Sequence, residues 1–342
     1  MTSFDVKTFY NIRDVDATTW DQLSGQSPFQ SHQWYTFGER VMADCLPVYL
    51  LIYDNNSLVA RAAFWLVRNE PLPKMPTPVR LLVKTLLKRW PLLICRSPMA
   101  NASGIIMENG MQSEAILDRI SKAALAEAGK RNASIVLFDF LDNSETQGWP
   151  SNFVTLKMPS PGTILKNHWQ SLEHYLADGD KKDRQHYKRS LREADKLGIR
   201  LTQHKSISDI DSALALIRKV EHRYSSSPNP WLSNMLENIE MIDGTWLEAH
   251  IDQKLVGCGL IVNDNNVQMT TALGLADNVP YVYFLLIYAS LESAFMRKIE
   301  LLRWGTGAYE VKQRLGFELE QNNNSVLAGT NQLTRFLSRI AA

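Results

Sequence analysis

The stretch that most constrains this chain is residues 300–317, ELLRWGTGAYEVKQRLGF. A short apolar run from Leu301 to Trp304 is cut by Gly305-Thr306-Gly307. The apolar spacing that follows is that of a helix of about two turns, which Gly316 stops. The order is strand, tight turn, helix, helix stop. Open α/β sheets hold ligands where a strand end opens through glycines onto a helix whose first N–H groups point outward. The glycines would equally serve a chain that only has to turn here.

At 342 residues, 45% apolar, the chain can bury cores for about two domains. Its net charge of +1 means that a polyanion partner must be held by a local patch. Cys45, Cys95 and Cys258 lie far apart in apolar contexts with no Cys-x-x-Cys spacing, which indicates buried, reduced thiols and neither a disulfide framework nor a metal site. The start, MTSFDVKTFYNIRDVD, has no apolar signal-peptide core, and the apolar run 279–291 is too short to span a bilayer, so a cytoplasmic protein is expected.

Residues 4–12 alternate as a strand, 17–23 form a short helix capped near Asp16 or Thr18, and Ser31 opens a helix to about Met42. Two strand runs, 47–53 and 58–67, flank the hairpin signal Asp54-Asn55-Asn56-Ser57. After a segment with four prolines, residues 71–78, basic residues recur among leucines at helical spacing from Arg80 to Trp90. That pattern suits either a helix lying on an anionic membrane surface or a surface helix whose leucines cover the core while its cations reach water. Then come a strand and loop (91–106), an amphipathic helix (111–130), a buried strand (134–140) ending near Asp139 and Asp142, and an edge strand (153–158).

Residues 163–176 read as helical, with Trp169, Leu172 and Leu176 on one stripe. In residues 181–197, at 100° per residue, Lys181, Arg184, Lys188 and Arg192 form one stripe flanked by Lys182, Arg189 and Lys196, opposite Tyr187, Leu191 and Ala194. Such a face could hold the phosphates of a nucleotide, a CoA or a tRNA; interleaved with Asp183, Glu193 and Asp195, it also suits plain solvation. A strand (199–204), a helix opened by Ser206-x-x-Asp209, a loop through Ser225-Ser226, a helix (231–241), three antiparallel strands with tight turns, and an apolar helix (281–298) lead into residues 300–317.

The order from Ile199 to Ala328 resembles the GNAT acyltransferase fold, and residues 4–158 resemble a degenerate copy of it. Trp20 and Leu23 followed by Ser27-Pro28-Phe29-Gln30-Ser31, the basic segment 184–198, and Tyr309-x-x-Lys312-x-x-x-Gly316-Phe317 make the whole similar to the Fem-type aminoacyl transferases and to cellulose-biosynthesis-type acetyltransferase domains. The resemblance implies an α/β fold of mixed sheets: a degenerate GNAT-like domain over 1–158, a helical linker over 159–197, a GNAT-like domain over 198–330, and a last helix, 331–342, packing back on the first domain through Leu333, Phe336, Leu337 and Ile340. It also implies acyl-CoA or aminoacyl-tRNA as co-substrate. The loop expected to cradle a CoA pyrophosphate reads Gly274-Leu275-Ala276-Asp277-Asn278-Val279-Pro280, with one glycine and no arginine, and strand 267–273 lacks a glutamate base.

The expected activity is acyl or aminoacyl transfer to an amine or hydroxyl of a small molecule or cell-envelope precursor. Lys312 and Tyr309 are the catalytic candidates, Trp304, Tyr281, Tyr283 and the backbone at Gly274 the site walls, and Arg184, Lys188 and Arg192 the donor contacts. Two alternatives are a tandem module that binds without chemistry, and a nucleic-acid binder using the basic face, which has no stacking aromatics interleaved. Peripheral contact with the inner membrane face would run through Arg80 to Trp90.

Overall fold

The structure, a computed structural model, describes residues 4–25, 27–72, 75–108, 114–224 and 227–341. The expected helix start at Met111 and the loop residues Ser225 and Ser226 lie outside them. The chain divides into two units, residues 1–162 with 319–342, and residues 163–318.

The first unit contains β1 (Asp5–Phe9), α1 (Ala17–Ser24), α2 (His32–Val41), β2 (Leu46–Asp54), β3 (Ser57–Val67), α3 (Thr77–Arg89), β4 (Leu92–Cys95), β5 (Ile105–Met107), α4 (Glu114–Lys130), β6 (Ile135–Leu141) and β7 (Val154–Lys157). Asp16 accepts the Thr19 N–H at 2.7 Å and Ser31 the Trp34 N–H at 3.1 Å, so both helix starts are side-chain capped. Asn55 and Asn56, both at positive φ, make the two-residue turn that matches strand twist in the β2–β3 hairpin. Both faces of these strands are covered. Val48, Leu50 and Ile52 join a core with Ile116 and Ile120 of α4 on one side, while Tyr49 and Trp65 meet Trp20 and Tyr35 of α1 and α2 on the other. That double burial explains why the strands read as unbroken apolar runs.

The second unit contains β8 (Thr163–Lys166), α5 (Leu172–Asp178), α6 (Lys181–Lys196), β9 (Ile199–His204), α7 (Ile210–Arg223), α8 (Leu232–Glu237), β10 (Asp243–Ile251), β11 (Lys254–Asp264), β12 (Val267–Leu275), α9 (Val282–Met296), β13 (Leu301–Trp304), α10 (Tyr309–Arg314) and β14 (Glu318–Leu319); β15 (Asn324–Gly329) and α11 (Gln332–Ala341) follow. Its sheet runs β14-β8-β13-β12-β11-β10-β9, and the first runs β1-β2-β3-β4-β6-β15-β7 with β5 on β3. In the first sheet β4 pairs parallel with β6 and in the second β12 with β13, the strands of each pair joined through crossover helices α4 and α9.

Three expected boundaries change. Residues 163–166 are not the start of a helix: Thr163 and Ile164 are β-branched and the segment pairs antiparallel with β13, so the helix begins only at Leu172. The segment 159–197 therefore is not wholly a helical linker. Nor does the second unit extend to residue 330. All six residues of β15 are buried, and they pair with β6 and β7 of the first sheet. Helix α11 belongs to the first unit, where Arg335 Nε donates to the Gly329 carbonyl at 3.2 Å. Its expected apolar stripe is not covered as expected, because Leu333 and Phe336 are 67% and 62% exposed; the side chains of Leu337 and Ile340 lie outside the described ones.

Candidate functional site

In the second sheet β12 and β13 run parallel from Val267–Leu301 to Thr270–Trp304, and there β13 stops while β12 continues to Leu275. On its other side β12 pairs Thr271 with Leu260 and Gly274 with Cys258, so Ala272 and Leu273 stand opposite Gly259 alone, with Ala272 at φ +51°. This is a β-bulge, which leaves one residue out of the ladder and re-aims the backbone beside it. The parallel pair thus opens where the backbone of β12 is irregular, the kind of carboxyl-end crevice in which such sheets bind ligands. Gly274 is not part of the open edge. A Cβ there would meet Cys258 Sγ at 2.6 Å and Leu216 Cβ at 2.9 Å, so its lack of a side chain serves the packing of α7.

Trp304 closes the end of β13. It is 5% exposed and stacks on Phe317 with ring centroids 4.1 Å apart, and its Nε1 has no partner among the described residues. Gly307 at φ +80° and Ala308 at +48° carry the chain into α10, and Gly316 at +83° ends it, with Phe317 N–H bonded to the Lys312 carbonyl at 3.0 Å. Lys312 is 6% exposed, and its ammonium donates to the Gly305 and Thr306 carbonyls. The catalytic candidate Lys312 thus clamps the turn that follows Trp304. Tyr309 is the first residue of α10 and half-buried. Tyr283 packs with the apolar cluster that contains Trp304, and burial pushes its hydroxyl up to about 12. Tyr281, at φ +70° ahead of α9, packs instead with the cluster around Val282 and Leu285.

The basic face of α6 is divided. Arg184 donates through Nη1 to the carbonyls of Leu176, Ala177 and Gly179, closing the carboxyl end of α5. Lys188 is exposed, and Arg192 Nε reaches Glu193 Oε1 at 3.2 Å on an exposed surface. On the opposite side Ala194 is buried and Tyr187 half-buried as expected, but Leu191 is exposed and Ser190 takes the buried place. His186 Nδ1 lies 3.2 Å from the Tyr288 hydroxyl; burial, with Arg189 adding to it, lowers the imidazole below its ordinary value. A pocket of about 140 Å³ opens nearby, walled by Trp169, Tyr175 and Tyr288 with Asp178, Asp183 and Arg314 at its polar side.

Sequence reasoning missed two sets of charges. Over the loop between β12 and α9, Asp277 holds Arg223 at 2.5 Å and Lys219 at 4.0 Å, both from α7. The loop has no arginine of its own, yet cations stand beside it. In the first unit, Arg96 just beyond β4 makes a two-pronged ion pair with Glu70 at 2.7 and 2.6 Å, and Asp139 on β6 lies 4.0 Å from Arg96 and accepts Ser325 Oγ at 2.7 Å. The strand end at Asp139 was visible, but its partners come from segments remote in sequence.

No protein-family model matches the sequence, and no curated protein matches it. Solved structures do. FemX superposes over 97% of this chain and 99% of its own at TM-score 0.65 and 9% identity. A tandem GNAT protein from the clavulanic acid biosynthesis pathway covers 96% of this chain and 99% of its own at TM-score 0.57 and 12% identity. The chain has the tandem GNAT fold. L-PGS from Bacillus licheniformis shares it at TM-score 0.52 and 9% identity, over 95% of this chain and 96% of that one. Within this tandem GNAT fold the pairs β4/β6 and β12/β13 hold matching places in their sheets, one ending in an ion cluster and the other in a bulge and an indole.

The ion cluster has a pH signature. Burial raises the Asp139 carboxyl above its ordinary 3.8, against the pull of Arg96 and Ser325. A native state that holds a proton more tightly than the unfolded chain loses stability as pH rises from the unfolded value through the raised folded one, and the loss persists above it. Asp139→Asn is expected to flatten that decline in urea unfolding of the full chain from about pH 4 to about pH 7. A slope equal to that of the wild type would show that Asp139 is not its source.

Proposed function

We propose that this chain transfers an acyl or aminoacyl group, from an acyl-CoA thioester or an aminoacyl-tRNA ester, to an amine or hydroxyl acceptor such as a cell-envelope precursor. The observation that carries the reading is the parting of β12 from β13 beyond Thr270 and Trp304, beside the bulge at Ala272–Leu273. A carbonyl laid in that opening could accept from the irregular backbone of β12, which would stabilise the oxyanion formed as the acceptor attacks. The acceptor's new bond to the carbonyl carbon and loss of the donor's sulfur or oxygen complete the transfer, with proximity supplying most of the acceleration. Tyr309 is the candidate for moving the acceptor's proton and Lys312 holds the adjoining turn in place. In this reading the first unit is the degenerate copy, since Arg96, Glu70 and Asp139 fill the matching strand end with charges satisfied among themselves. Both donor classes place the reaction in the cytoplasm.

Donor phosphates would lie on the exposed part of the α6 face. Lys188→Gln with Arg192→Gln is expected to weaken donor binding several-fold at low salt and progressively less as salt rises, measured by titration calorimetry. Arg184 is left in place because its loss would also uncap α5. A solvated face predicts no change at any salt. The reading itself is tested with purified protein, labelled acetyl-CoA or charged tRNA, and a panel of amines and envelope precursors. Label moved to an acceptor is the expected result. Tight donor binding with no transfer to any acceptor would turn the reading toward a binding module, and binding of neither donor would remove it.

A further inference from the structure

Helix α3 does not do what a core-covering helix does. Of its side chains only Leu87 is buried. Leu82, Leu86 and the following Trp90 are 59%, 41% and 47% exposed, and Val79 is exposed with them. At 100° per residue, Val79, Leu82, Val83, Leu86 and Trp90 fall within an arc of about 100°, beside and not beneath the side on which Leu87 enters the core. Arg89 stands about 20° beyond Leu82 at one edge of the stripe and Arg80 about 60° beyond Val83 at the other, past Leu87, while Lys84, Lys88 and the 60% exposed Leu81 lie on the opposite face. No Asp or Glu lies between residues 77 and 90. The helix is tied to the unit by Arg68, which donates to the Lys88 carbonyl at 2.8 Å.

An apolar stripe open to water on a helix that carries four cations, Arg80, Lys84, Lys88 and Arg89, and no acid fits one kind of surface, a sheet of acyl chains under anionic headgroups. A protein partner of mixed charge would call for acids among the cations, and a second copy would bring like charges together. Trp90 at the end of the stripe has the amphipathic ring that settles at headgroup depth. No described helix is long and apolar enough to cross a membrane, so the contact would lie on the bilayer without spanning it. We propose that α3 docks the protein on an anionic lipid surface, lying in the interface with the stripe from Val79 to Trp90 inserted. The inference stands on α3 alone and holds whether or not the chain is a transferase.

The test is co-sedimentation of the full chain with vesicles of phosphatidylcholine, with and without phosphatidylglycerol, at low and high salt. Binding is expected on the anionic vesicles, falling as salt rises, with little on the neutral ones. Lys84→Gln with Lys88→Gln, on the far face but within a Debye length of the surface at low salt, should lower the partition several-fold, and Leu82→Gln with Leu86→Gln should abolish it at every salt. All four side chains are exposed, so unfolding curves should match the wild type; if the leucine variant fails to fold, the lysine variant still decides. No binding to anionic vesicles at low salt, equal binding to neutral ones, or wild-type binding by the variants would overturn the proposal. So would a concentration-dependent dimer that Leu82→Gln with Leu86→Gln dissociates, since the stripe would then be an interface between copies.

Discussion

Lys312→Gln is expected to slow group transfer by ten- to a hundred-fold while changing donor affinity little, and to destabilise the chain by about 2 kcal/mol. The ammonium is almost fully buried and holds the Gly305 and Thr306 carbonyls, directly after the tryptophan that ends β13. A shorter neutral amide reaches these carbonyls less well and replaces charge-assisted bonds with weaker ones. If the turn sets the wall of the opening between β12 and β13, it moves, and a shift of about 1 Å there costs on the order of a hundred-fold in rate. The donor's phosphates bind elsewhere in the proposed arrangement, so ground-state affinity is spared and the loss appears in kcat. Turnover must be measured at a temperature where the variant is folded, as judged by circular dichroism. Equal kcat for Lys312→Gln and wild type, with a donor shown to bind, would remove Lys312 from the transfer site and leave it a structural clamp.

Much of the fold could be read from local pattern because local chemistry decides it. Asp16 and Ser31 cap the helices they were expected to cap, the asparagines at 55 and 56 turn the first hairpin, and Leu301 to Trp304 is a strand ended by glycines. What could not be read was decided at long range. Nothing in NSVLAG says that it pairs with Leu137 and Thr155 instead of strands nearer in sequence, nor in TILK that it will lie beside β13. The site was legible as a place and less so as a set of roles. Lysine spacing marks Lys312 and Arg184 as candidates, but both donate to backbone carbonyls of their own unit, a use that depends on where a turn or helix happens to end. Arg96, Glu70 and Asp139 come from three separate segments, and only the parallel pairing of β4 with β6 brings Arg96 beside Asp139.

The largest loss of stability is expected from Arg96→Met. The guanidinium makes two short bonds to Glu70, whose side chain is 18% exposed, and faces Asp139, 8% exposed. Removing it leaves two carboxylates close together with little water to solvate them, and breaking a buried pair from one side costs about 3–5 kcal/mol. For a unit of this size that is a fall in Tm of roughly 10 °C. Methionine fills much of the volume, so the loss reports charge more than cavity. The second arm is Arg96→Met combined with Glu70→Met. It removes the carboxylate stranded by the first change, and the pair should be less destabilised than Arg96→Met alone, a coupling that urea unfolding of all four members of the cycle would measure. The single variant should also recover stability as pH falls, because protonating Asp139 relieves its repulsion with Glu70. Additive losses and a pH dependence equal to that of the wild type would mean that Arg96 is held by its packing and that the cluster's charges are already solvated.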